Sequence, residues 1–181
     1  MEVQAEVYAA AGREFWRDAL LAGGFTSMPR WTPDPIAGVA MYDAAIPSEL
    51  GAASGRLADE LNVPLSSVLL AAHAKVLSAL SGERRVVTGY LAGIGPEPLP
   101  FPLTTEAESW RELVFDAHRR EAQLLSYADF PLDELRGELS VTGPALETVF
   151  DPTGVAGELG DDAVLRLGIA ERNDGLFVRM R

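Results

Sequence analysis

A general base for amide or ester formation must reach the attacking group and hold a suitable pKa, and histidine is the usual choice. The chain offers two, His73 and His118. His73 falls in the middle of the apolar run Val68 to Leu80, so it reads as a packed or hydrogen-bonded core histidine. His118 stands in Asp116-Ala117-His118-Arg119-Arg120-Glu121, a charged stretch that reads as a solvated helix face. Neither has a metal-ligand spacing. Ser66-Ser67, Ser126 and Ser140 lack the context of a nucleophile elbow. Asp161-Asp162 with Glu158 offer hard oxygen ligands, but no glycine-spaced loop surrounds them, and they read as a solvated acidic loop. Gly93-Ile94-Gly95-Pro96 contains a GxG with no third glycine and a proline where a helix should start, which argues against a dinucleotide site. There are no cysteines, so disulfides, thiolate metal sites and thiol catalysis are excluded. No residue is assigned a catalytic, cofactor-binding or metal-ligating role.

The elements around these residues follow from periodicity. Val7, Phe15, Ala19 and Leu20 recur at helical spacing between Ala5 and Ala22, and Gly23-Gly24 stops the pattern. Pro29, Pro33 and Pro35 make residues 25–37 an extended linker. Val39, Met41 and Ile46 fit a short strand. Leu50, Ala53, Leu57, Ala58 and Leu61 predict a helix over Ser48 to Leu61. A second helix opens at Pro64 and ends at Ser81-Gly82, apolar almost all round and so expected to be buried. Arg85 to Leu91 is a β-branched run of strand length. Gly93 to Pro102 holds too many breakers for regular structure and reads as a loop or edge segment.

Thr105-Glu106-Ala107-Glu108 fits the capping box of the next helix, whose apolar stripe is Trp110, Leu113, Val114, Ala117, Leu124 and Leu125. A short helix carries Leu132, Leu135 and Leu139. Strands near Leu146 to Phe150, Val164 to Ala170 and Leu176 to Met180 complete the reading, the last two joined by the turn-forming Asn173-Asp174-Gly175.

At 181 residues, 48% hydrophobic and 23% charged, the composition is that of one globular domain. The net charge of -12 repels phosphate, so neither nucleic acid nor an anionic membrane is an expected partner. The longest apolar runs fall short of a membrane span, and the acidic N-terminus lacks a secretory pattern, which sets the expectation of a cytoplasmic address.

The ordered series of segments resembles the C-terminal lobe of nonribosomal peptide synthetase condensation domains, of the chloramphenicol-acetyltransferase-like fold. Glu14-Phe15-Trp16-Arg17-Asp18-Ala19-Leu20 resembles the segment leading into that lobe. The run from Leu57 to Ala72 is similar to its paired helices, and Ser81-Gly82 to Gly89 to the glycine turn and valine-rich strand that follow. Ser109 to Val114, Tyr127 to Leu135 and Ala145 to Asp151 are similar to its next helix, its proline-and-phenylalanine segment and the strand behind it. The likeness runs from about residue 7 to the end.

It implies an α/β fold: one lobe of a two-lobed architecture, a mixed sheet with helices packed on it, with residues 1–37 as leading helix and linker and 38–181 as the lobe. It also implies an adenylation or carrier domain as partner, or self-association, and as the one cofactor in reach the phosphopantetheine of a partner carrier protein. Three departures qualify it. The family's catalytic pair of adjacent histidines belongs to the other lobe and occurs nowhere in this chain. The passage from Gly89 to Trp110 is shortened and lacks the family's glycine-phenylalanine-valine-asparagine segment. The strand Leu176 to Met180 is expected without the helix that follows it in the family. The expected role is therefore a non-catalytic scaffold or interaction module. The alternative is one lobe of an enzyme whose histidine lobe comes from another polypeptide or from the rest of a longer chain.

Overall fold

The computed structural model describes residues 2–21, 26–30, 32–34, 38–93, 97–141, 146–154, 163–172 and 175–181, with residues 2–7 given by their backbone alone. The elements run α1 (Glu2–Leu21), β1 (Tyr42–Ala45), α2 (Ser48–Leu61), α3 (Leu65–Ser81), β2 (Arg85–Tyr90), β3 (Leu99–Thr104), α4 (Trp110–Ser126), α5 (Leu132–Leu139), β4 (Thr148–Asp151), β5 (Leu165–Arg172) and β6 (Gly175–Met180). The strands form one sheet in the order β1-β6-β5-β4-β2-β3. β2, β4 and β5 run parallel to one another and the remaining pairs are antiparallel. This is the α/β class with a mixed sheet that the resemblance implies. β6 is an interior strand, paired to β1 on one side and β5 on the other.

Alternation along the strands sorts the two faces of the sheet. Val86, Tyr90, Phe101, Leu103 and Phe150 point to the helices and join Leu70, Leu77, Leu113 and Leu124 in the core. Trp16 of α1 is fully buried and donates its indole N–H to the Tyr127 carbonyl at 2.8 Å, which brings the leading helix into the same core. On the opposite face charges pair across strands. Asp43 accepts from Arg179 at 2.8 and 3.0 Å and also from Arg172, and buried Asp151 accepts from Arg166 at 2.6 Å. The two arginines hold the Asp43 carboxyl far below the usual carboxylate range, the Arg179 hydrogen bonds contributing most.

β2 and β4 pair as a ladder at Gly89↔Val149 and Tyr90↔Phe150, and Thr88 and Thr148 extend the contact by side-chain hydrogen bonds. Below that point the segment 26–30 fills the gap. Val87 N–H donates to Thr26 Oγ1 at 2.9 Å, and Glu147 accepts from Met28 N–H at 2.7 Å and from Arg30 at 2.9 Å. Burial alone would raise the Glu147 carboxyl, but the Met28 amide and Arg30 outweigh it and hold it low.

Several expectations need correction. The box that starts α4 is Ser109 to Glu112: Ser109 Oγ accepts from Glu112 N–H at 3.2 Å, and the Glu112 carboxylate accepts from Glu108 N–H at 2.7 Å. Thr105 is instead a buried loop residue bonded to Ser78 Oγ and to the Arg84 carbonyl, both at 2.9 Å. Trp110 and Leu125 lie outside the apolar stripe of α4, exposed by 53% and 42%. α3 is not buried all round, since Val76 is 56% exposed. The proline-rich segment does reach the sheet edge, one of the two readings given to it, but it ends there in a regular strand, β3. Thr105 N–H donates to Arg84 O, so alternation turns residues 101 and 103 toward β2 and leaves Pro100 and Pro102 facing outward, where a missing N–H costs no ladder bond. The strand expected around Val39 to Ile46 narrows to Tyr42–Ala45, and the one near Leu146 to Thr148–Asp151. Gly23-Gly24 and the Asn173-Asp174 part of the last turn lie outside the described residues.

Candidate functional site

α3 carries His73 and Ser67 toward β2 and α4, which places both side chains inside the molecule. His73 is 4% exposed, its Nε2 lies 3.1 Å from Thr88 Oγ1, and its ring lies 5.6 Å from that of Phe150. Burial pulls its pKa down to about 4, so it is neutral at pH 7. This is the hydrogen-bonded core histidine that the apolar run predicts. His118 departs from its reading. It is half-buried, and its Nδ1 lies 3.2 Å from Ser67 Oγ.

The same serine donates to Glu121 Oε2 at 2.5 Å, and Tyr90 donates its phenol proton to Glu121 Oε1 at 2.5 Å. Glu121 is 5% exposed, so a carboxylate from the stretch read as solvated sits at the junction of α3, α4 and β2. Burial first, then the hydrogen bond and charge of Glu121 and the charge of Asp151, push the Tyr90 phenol far above its ordinary pKa.

Serine, histidine and glutamate together invite comparison with a nucleophilic triad, but their roles are in the wrong order. In a triad the histidine takes the serine proton while the carboxylate orients the histidine. Here the serine proton goes to the carboxylate, which holds Ser67 directly, and Nδ1 of His118 stands 3.2 Å from the same serine oxygen. Ser67 is also fully buried, so no acyl carbon can approach its Oγ. The arrangement is a clamp between two helices and a strand. Glu121 is missed by the sequence reading, and the signal that marks it is spacing: it follows Ala117 by four residues and precedes Leu124 by three, on the stripe that faces the core.

The remaining residues with chemistry in them stay apart. Ser126 Oγ donates to the Ala122 carbonyl at 2.8 Å, and Ser140 closes α5 with a φ of 52°. Ser66 is half-buried. Glu158, Asp161, Asp162 and residues 94–96 of the GxG segment lie outside the described residues. Among the described residues no three His, Asp or Glu side chains converge as metal ligands. No single described helix is long and apolar enough to cross a membrane.

One large concavity opens on the helix face. α2 and α3 bend by 114° at the break between them, and the strands β1, β6 and β5 lie beneath. The result is a cleft of about 530 Å³. Its walls are Leu50 and Leu57 of α2, Leu69 and Val76 of α3, and Trp110, over a floor that includes Ile169 and Val178. No charged side chain lines it, and His73 and Ser54 are its polar members. Leu50, Val76 and Trp110 are each more than half exposed, so the walls stand open to solvent. An apolar surface of this kind marks a binding site more often than a bare exterior.

No family model matches the chain. Over 97 residues it is 31% identical to the AMB antimetabolite synthetase AmbE of Pseudomonas aeruginosa, a match that spans 54% of this chain and 4% of that protein. The first condensation domain of the calcium-dependent antibiotic synthetase superposes with a TM-score of 0.70 at 18% identity, covering 99% of this chain and 48% of that one. The condensation domain of the Monacolin K polyketide synthase MokA gives 0.68 at 13%, over 99% and 53%. AB3403, a four-domain nonribosomal peptide synthetase bound to AMP and glycine, gives 0.76 at 13%, over 93% and 17%. The chain thus spans about half the length of the condensation domains it matches. With its mixed six-stranded sheet and the helices on one face, it has the fold of one half of a nonribosomal peptide synthetase condensation domain.

Proposed function

We propose that the chain is a non-catalytic, condensation-like interaction module of nonribosomal peptide biosynthesis, which binds a neighbouring adenylation or carrier domain in the cytoplasm. The observation that carries this reading is the fate of the two histidines. His73 reaches the cleft wall with only 4% of its surface exposed, bonded to Thr88 and made a weak base by burial, while half-buried His118 lies against Ser67, so neither is presented as a base to an amine. What the molecule offers to solvent instead is the apolar cleft. The multidomain setting of AB3403 agrees with a domain partner, which would bring its own phosphopantetheine.

The test is to titrate the chain with the adenylation and carrier domains of its producing organism and, in parallel, to assay peptide-bond formation. Saturable binding to one of them without turnover is expected. Turnover that appears when a histidine-bearing lobe is added in trans would replace this reading with the second one. In that reading the chain is half of an active condensation enzyme, as its roughly half coverage of the solved domains suggests.

A further inference from the structure

We infer that the cleft seats an amphipathic α-helix whose polar face is basic, contributed by the partner of the interaction module. The inference rests on the proposed function and names the chemistry of that partner. Two of the walls are helices, and their side chains repeat at helical spacing: Leu50 and Leu57 lie two turns apart on α2, Leu69 and Val76 two turns apart on α3. Ridges of this period on converging helices leave a groove that matches the ridges of a third helix. Ile169 and Val178 supply an apolar floor across two strands.

The open shape separates this occupant from a small molecule. A ligand pocket encloses most of its ligand's surface, whereas here Leu50, Val76 and Trp110 project outward with 57%, 56% and 53% of their surfaces exposed. Charge separates it from a second copy of the chain. Each copy carries -12, so two copies repel one another, while a helix with lysines or arginines on its outer face is drawn in by the same field. The cleft itself holds no charge that would oppose the apolar face of such a helix.

Three peptides of about five helical turns test the inference by calorimetric titration into the full chain. One has leucines at helical spacing and lysines elsewhere, one has glutamates in place of the lysines, and one is a scramble of the first. The lysine peptide is expected to bind one to one and at least about ten-fold more tightly than either of the others near physiological salt. Val76→Asp and Leu50→Asp change exposed side chains, so circular dichroism and melting temperature should be preserved while affinity for the lysine peptide falls about ten-fold or more.

Equal binding of the scramble, preference for the glutamate peptide, or indifference to both substitutions overturns the inference. So does saturable uptake of the neutral fluorophore N-phenyl-1-naphthylamine that the lysine peptide fails to displace, which would make the cleft a small-molecule site. A synthetase domain that binds equally well before and after Val76→Asp removes this inference and leaves the interaction-module reading standing. A lysine peptide that binds the cleft while no synthetase domain binds does the reverse.

Discussion

Glu121 is the most consequential side chain of the interior, because two hydroxyl groups depend on it. Truncating it in Glu121→Ala leaves Ser67 and Tyr90 buried with donors unmatched, and the expected loss is about 3 kcal/mol of unfolding free energy in urea titration. Tyr90→Phe removes one donor and leaves the other bond in place, so about half that loss is expected. His73 yields a pH effect of definite sign. Unfolded, it takes up a proton below about 6.5, and folded it resists protonation until about pH 4. The stability due to the neutral ring is therefore fully present above pH 6.5 and is lost as pH falls toward 4, a swing of about 3 kcal/mol. Urea midpoints measured at both ends of that window, for the parent and for His73→Leu, check it: the variant should lose this part of the pH dependence. At this scale the sequence was half legible. The apolar neighbours of His73 announced its burial. The charges around His118 concealed that Ala117, Glu121 and Leu124 share one inward stripe while Asp116 and Arg119 pair on the outside.

Elements were more legible than residues, because periodicity averages over many positions. α2 has the bounds its leucine spacing predicts, and α3, β2 and α5 fall within a few residues of theirs. What escaped depended on which of two neighbouring signals won locally. Thr105 and Ser109 both stand three residues ahead of a glutamate, and Ser109 caps because Thr105 is tied back to Arg84, just before β2. Proline content argued against a strand at β3, but an edge strand needs ladder bonds on one side only. Replacing both outward prolines in Pro100→Val with Pro102→Val should expose a continuous row of donors and raise self-association, seen as concentration-dependent growth in light scattering. A tighter constraint lies at the turn after β4. Gly154 has a φ of 61°, and a Cβ there would stand 1.8 Å from the Ile169 carbonyl oxygen. Gly154→Ala should cost about 3 kcal/mol or more, or abolish folding, as a shift in the thermal midpoint would show.

For the whole molecule, charge and topology act together. The helix layer buries the half of the sheet around β2, β3 and β4, while the cleft leaves the half around β5, β6 and β1 partly uncovered. On the opposite face Asp43 pairs with Arg179 in register on the neighbouring strand, and Asp151 pairs with Arg166 while its register partner is Gly168, where the lack of a side chain keeps room for the turn at Gly154. With a charge of -12 the molecule should hold a basic partner less firmly as salt rises, so affinity measured from low to physiological ionic strength should fall steadily, whereas a purely apolar contact would hold or tighten.

The interior place of β6 has a bearing on how the chain is made. Within this stretch β1 is made before β2 to β5, and among the described residues its neighbour in the sheet is β6. A ribosome therefore releases β1 long before anything exists to pair with it, and α2 and α3 must collapse while one margin of the sheet is still unwritten. Only when residues 175–180 arrive can β6 take its place between β1 and β5. Closure of this sheet is a late, long-range event of the kind that slows folding, and during that interval the apolar residues of the cleft are at their most exposed.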